Sequence, residues 1–137
     1  MLIVVLILLS RIALVDAKTH RIPNRQVLIL SISAFFTAVA EGYSFQEHLM
    51  ASLIVLLFSG LLSTFCGLGL GDVKLLGVLA MFVLPAEAST YKIFLVIAAI
   101  TALLHAVFLS QGDLRKSLQI PLAPAILCGT IATLFAK

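Results

Sequence analysis

The sequence predicts an all-α, polytopic membrane protein of about six transmembrane helices, built as one domain over residues 1–137, and three observations predict it. Hydrophobic residues make up 62% of the chain and charged residues only 11%, with a mean hydropathy of +1.22. That is more apolar surface than a water-soluble domain of this size can hide in a core. The apolar residues fall in six runs, roughly 2–17, 26–40, 49–66, 72–84, 91–110 and 119–136. The polar breaks between the runs are short, so no second domain fits among them, and membrane lipid is the chain's main partner.

The first run, MLIVVLILLSRIALV, has the hydropathy of a signal peptide but lacks a positive n-region and an A-x-A pattern before Asp16. It therefore reads as a retained first membrane helix. Arg11 within it is unusual at membrane depth and calls for a structural partner or for snorkelling. In the break DAKTHRIPNR, Pro23 and Asn24 suit a turn and a helix start, with Asn24 as N-cap. The second run ends at EGYSFQEH. The third ends in Cys66 before GLGLGD, whose glycines at 67, 69 and 71 allow close backbone approach and positive φ. Asp72 opens the fourth run, which stops at PAEASTY. The fifth carries His105, a lone histidine that reads as a hydrogen-bonded packing residue. After QGDLRKS, Pro121 and Pro124 mark the start of the sixth run, where they remove first-turn backbone donors. Several runs are shorter than the ~20 residues that cross the hydrocarbon upright, so polar groups at their ends lie below the headgroups.

Cys66 and Cys128 both sit in apolar stretches without CxxC spacing, which argues for packing and against a disulfide framework or a zinc site. The formal charge of +3 and the pI near 9.1 do not make a nucleic-acid binder, because no basic run interleaves with aromatics. The basic residues report orientation instead. Lys18, Arg21, Arg25, Lys74, Arg115 and Lys116 fall at the first, third and fifth breaks, against Lys92 and Lys137 on the other side. The positive-inside rule puts the first group in the cytoplasm and both termini outside.

An ionisable side chain at membrane depth costs about 2.5–3.5 kcal/mol for Asp at a helix centre, which makes it a functional candidate by default. Fifteen residues precede Asp16 and reach roughly 22 Å as a helix, less than the hydrocarbon thickness. Asp16 then lies below the cytoplasmic surface, and Asp72 enters from the same side behind its glycines. Two carboxylates at close range share a proton, one acting as base on a water and the other as acid toward a carbonyl. Asp16 closes a helix, at the negative end of its dipole, whereas Asp72 opens one, at the positive end. That asymmetry favours Asp72 as the ionised base and Asp16 as the protonated acid. Capping supplies an alternative reading of Asp72 at a helix start. Lys18 and Lys74 stand two residues from their aspartates, the wrong spacing for pairing along a helix, so lipid phosphates or cross-pairing suit them better.

Gly69-Leu70-Gly71-Asp72, followed by Val73-Lys74, and the upstream Asp16-x-Lys18 leading to Arg21-Ile22-Pro23-Asn24 resemble the type IV prepilin peptidase family of GxGD intramembrane aspartic proteases. Ile120-Pro121-Leu122-Ala123-Pro124 is similar to the stretch that opens the family's last helix. The resemblance implies Asp16 and Asp72 as the catalytic pair, with Lys18, Gly69, Gly71, Lys74, Pro121 and Pro124 as active-site support or substrate-binding residues. It implies a multi-pass protein of a bacterial inner membrane that removes the leader from prepilins or pseudopilins at the cytoplasmic face. No soluble insert and no tetracysteine motif is present, so the chain looks like the short form serving tight-adherence (Flp-type) pili, without N-methylation. Two carboxylates cannot supply the six or so oxygens a hard metal ion wants, and no cofactor is expected. The competing reading is a small proton- or cation-coupled transporter using the same two aspartates.

Overall fold

The computed structural model describes residues 2–66, 68–110 and 121–136. Among them are six helices and no strand: α1 (Leu2–Thr19), α2 (Asn24–Ala40), α3 (Phe45–Cys66), α4 (Leu70–Phe82), α5 (Ala88–Ser110) and α6 (Ala123–Phe135). Expectations attached to Gly67, Arg115, Lys116, Ile120 and Lys137, and to the side chain of Cys66, lie outside the described residues.

The helices coincide with the six apolar runs, with shifted ends. α3 begins at Phe45, four residues before the apolar run, because its first turn is built from polar residues. Glu47 there faces the positive end of the helix dipole, and His48 Nδ1 lies 2.9 Å from the Ser44 carbonyl. α4 stops at Phe82, where the N–H groups of Val83 and Leu84 both donate to the Leu79 carbonyl, at 2.9 and 2.8 Å. With 13 residues each, α4 and α6 are about 20 Å long and shorter than the hydrocarbon is thick.

The core is contributed by α1, α2, α4 and α6. Val5, Leu9 and Ile12 of α1, Leu30 and Ala34 of α2, Leu75 and Leu79 of α4, and Ala123 and Ile126 of α6 form one buried cluster, joined by Phe94 of α5. α1 packs on α2 and α6, and α2 packs on α4. α3 lies against α4, and α5 against α6. The residues that α3 buries are His48, Ser52 and Ser59, and Ser52 donates to the Gly77 carbonyl of α4 at 3.2 Å. Small and hydroxylated contacts of this kind suit helices that meet in lipid, where apolar side chains gain nothing by leaving the solvent.

The outward faces remain apolar. Leu57 and Phe65 of α3 are 70% and 80% exposed, and Leu103 and Phe108 of α5 are 66% and 84% exposed. The spans Phe45–Phe65 and Ala88–Phe108 are long and apolar enough to cross a membrane. An apolar belt of that extent in water would drive association, so lipid is the medium it fits. The chain is an all-α membrane protein.

Candidate functional site

Both aspartates continue the buried stripe of their helix. On α1 the buried positions are Val5, Leu9, Ile12, Ala13 and Asp16, a three- and four-residue spacing that keeps one face toward the core. On α4 they are Asp72, Leu75, Leu79 and Ala80, with Gly77. Asp16 is therefore the last member of one core stripe and Asp72 the first member of another. The two side chains are 5% and 9% exposed, and their charges interact. The structure brings Asp16 and Asp72 together at one end of the bundle.

Each carboxyl has its own backbone surroundings. The Ala123 N–H donates to Asp16 Oδ2 at 3.1 Å. Ala123 is the first residue of α6, whose opening N–H groups have no partner inside the helix. Pro124 stands in that first turn, as expected, and it carries no N–H. Pro121 lies buried ahead of the N-cap residue Leu122 and not in the first turn, which corrects the expectation that both prolines sit there. The Ala123 contact makes Asp16 Oδ2 an acceptor. Asp72 occupies the third position of α4, after Gly69 at the N-cap, and its carboxyl accepts from the Gly69 backbone N–H. Its Oδ1 is buried and without a hydrogen-bond partner among the described residues.

The two glycines are explained by proximity. A Cβ on Gly69 would stand 2.9 Å from Asp72 Oδ2, and a Cβ on Gly71 would stand 2.9 Å from the Cβ of Ile22. Positive φ is not the reason for either. Gly69 has φ −64°, Gly71 lies within α4, and Gly42 is the glycine in the left-handed region among the described residues. Ile22, which sequence reasoning did not single out, thus presses the α1–α2 connection against the start of α4. His20, with φ 51°, closes α1 and donates its N–H to the Asp16 carbonyl at 2.8 Å.

Asn24 does not cap α2. The N-cap position is Pro23, which makes no side-chain cap bond, and Asn24 Oδ1 instead accepts from Lys74 Nζ at 3.1 Å. This bond ties the start of α2 to the start of α4 at the exposed edge of the site. Lys18 is exposed and has no polar partner among the described residues. His105 is half-buried on α5 and makes no hydrogen bond to either aspartate. Cys128 is a free cysteine, exposed on α6 rather than packed inside. Among the described residues no group of three or more His, Cys, Asp or Glu side chains could hold a metal ion. A groove of about 610 Å³ opens between α2, α3 and α4, running from Asn24 and Lys74 past Val78 to Phe82.

The family model described as the type IV leader peptidase family matches residues 3–110. No curated protein and no solved structure matches the chain.

Proposed function

The chain belongs to the type IV leader peptidase family and is thus a peptidase of a membrane, and we propose that it is an aspartic endopeptidase that cuts the leader from prepilins or pseudopilins. In this reading it crosses a bacterial inner membrane six times and works at the cytoplasmic face, where the positive-inside rule puts the ends of α1 and α4. The observation that carries the reading is the meeting of two buried carboxylates, Asp16 and Asp72, from different helices at that end.

Two like charges so close share one proton. The carboxylate without the proton takes one from a water, which attacks the scissile carbonyl, and the protonated partner hydrogen-bonds the carbonyl oxygen as charge develops on it. Collapse of the tetrahedral intermediate returns a proton to the leaving amine. The Ala123 N–H holds Asp16 Oδ2 and restrains the orientation of that carboxyl. The buried, unpartnered Oδ1 of Asp72 fits a group that waits for a proton, water or substrate. Gly69 and Gly71 leave space that side chains would fill, and the groove between α2, α3 and α4 offers an apolar substrate segment a place that begins at Lys74. Lys74 lines that groove, while Lys18 stands free at the rim for lipid or substrate. The peptidase match favours hydrolysis over transport by the same two aspartates.

The test is co-expression with a candidate prepilin, following leader removal on a gel for wild type, Asp16→Asn and Asp72→Asn. Asn keeps the size and hydrogen bonding and removes the acid–base capacity. Loss of processing in both variants at normal membrane levels is expected. Continued cleavage in either one would overturn the dyad.

A further inference from the structure

Arg11 is the residue that the site leaves unused. It lies nine residues after the first residue of α1 and eight before the last, about 13 and 12 Å from the two ends. A guanidinium on its stem does not reach either headgroup layer from there. Arg11 is also exposed and, among the described residues, has no hydrogen bond or ion pair. Asp16 cannot serve it, since five residues turn a helix by about 140°, and Asp16 points into the core while Arg11 points out.

The exposed face of α1 is a continuous seam. Ile3, Ile7 and Leu14 are 73%, 56% and 63% exposed, and with Arg11 and Lys18 they follow the three- and four-residue spacing by which one helix packs along another. α2 and α6 occupy the other sides of α1. The seam is apolar between Ile3 and Leu14 except for Arg11 near its middle, and charges at membrane depth characteristically pair with a counter-charge or with backbone carbonyls.

We propose that this face of α1 docks a transmembrane helix of a different protein that carries one carboxylate near the bilayer centre, paired with Arg11. A second copy of this chain does not fit. Among the described residues its carboxylates are Asp16 and Asp72, buried in the site, and Glu41, Glu47 and Glu87, all at or beyond helix ends. The proposal rests on the reading of α1 as a membrane-crossing helix and adds to it a partner surface remote from the aspartates.

The probes are synthetic peptides of about twenty leucines with a central Glu, Gln or Leu, reconstituted with the whole protein in phosphatidylcholine vesicles and followed by energy transfer. The Glu peptide is expected to associate with wild type about tenfold more tightly than the Gln and Leu peptides. Arg11→Leu is expected to abolish that preference, and Arg11→Lys to retain most of it, while leader cleavage by both variants stays at the wild-type rate. Equal association of the three peptides, or a preference that survives Arg11→Leu, would overturn the proposal. So would loss of the preference on adding phosphatidylglycerol, which would assign Arg11 to lipid phosphate. Modification of Leu14→Cys by a membrane-impermeant maleimide would put this face in water and sink the docking surface, whereas the cleavage reading stands or falls separately on Asp16→Asn and Asp72→Asn.

Discussion

Gly69→Ala separates the position of the Asp72 carboxyl from the stability of the fold. The backbone at Gly69, φ −64° and ψ 137°, is open to any L-residue, so alanine brings no strain of its own. Its Cβ would stand 2.9 Å from Asp72 Oδ2, where ordinary contact begins at 3.4 Å. The methyl is fixed to the backbone and the carboxyl is the far end of a side chain. The carboxyl therefore yields, by about half an ångström. A misplacement of about 1 Å in a reacting group costs about 10²-fold, so half of it costs about tenfold, or about 1.4 kcal/mol of activation free energy. The assay is the rate of leader removal at saturating prepilin in purified membranes. A tenfold loss in kcat is expected, with KM and protein level unchanged. An unchanged kcat at normal protein level would refute the reasoning, because the Asp72 carboxyl would then have been moved without consequence.

The Ile22 contact behaves differently, because both atoms there are held by backbone. Gly71→Ala is expected to displace the α1–α2 connection and lower activity further than Gly69→Ala, and Ile22→Gly is expected to restore it where Ile22→Ala does not, since alanine keeps the Cβ at 2.9 Å; leader cleavage by the double variants checks this. Asn24→Ala and Lys74→Met each remove one exposed hydrogen bond, about 0.5–1.5 kcal/mol at most, so a few-fold loss is expected, and the double variant should lose no more than either single one when cleavage rates are compared in a cycle. Gly129→Ala puts a Cβ 3.0 Å from the Phe94 carbonyl oxygen, and overpacking of that kind costs about 1–3 kcal/mol, to be read as earlier thermal unfolding in detergent.

Hydropathy located all six helices because each run of apolar residues needs lipid or core over its whole length, and length is what the sequence displays most directly. The boundaries were less legible at α3, since Gln46, Glu47 and His48 look like a polar break until the His48 contact to Ser44 shows them as a first turn. Asp16 and Asp72 were legible as charges where charges are costly, and their membership in the stripes ending at 16 and starting at 72 carries the same information in helical spacing. Asn24 misled for a physical reason. Its partner Lys74 is 50 residues away, and local rules know only the neighbouring N–H groups. The glycines were expected to let a substrate approach the backbone and to take positive φ; the structure shows instead tight spacing of Gly69 to Asp72 and of Gly71 to Ile22, with no positive φ at either. Ile22 and Ala123 fall within the stretches that carry the family resemblance, but their contacts follow no local rule, because one acts by shape and the other through the backbone.

Among the described residues, the site answers a general difficulty, the burial of two carboxyl groups, without using a cation. Lys18 and Lys74 stand two residues from the aspartates, yet Lys74 bonds Asn24 and Lys18 remains exposed. What meets the carboxyls is backbone. The opening N–H of α6 reaches Asp16, and Asp72 sits in the first turn of α4, so the positive ends of two short helices converge on the pair. Partial charges of that size stabilise one negative charge shared between two groups. A lysine or arginine in the same place would stabilise two. On the proposed mechanism the distinction decides the chemistry, because a dyad with both groups ionised has a base for the water and no proton to offer the carbonyl.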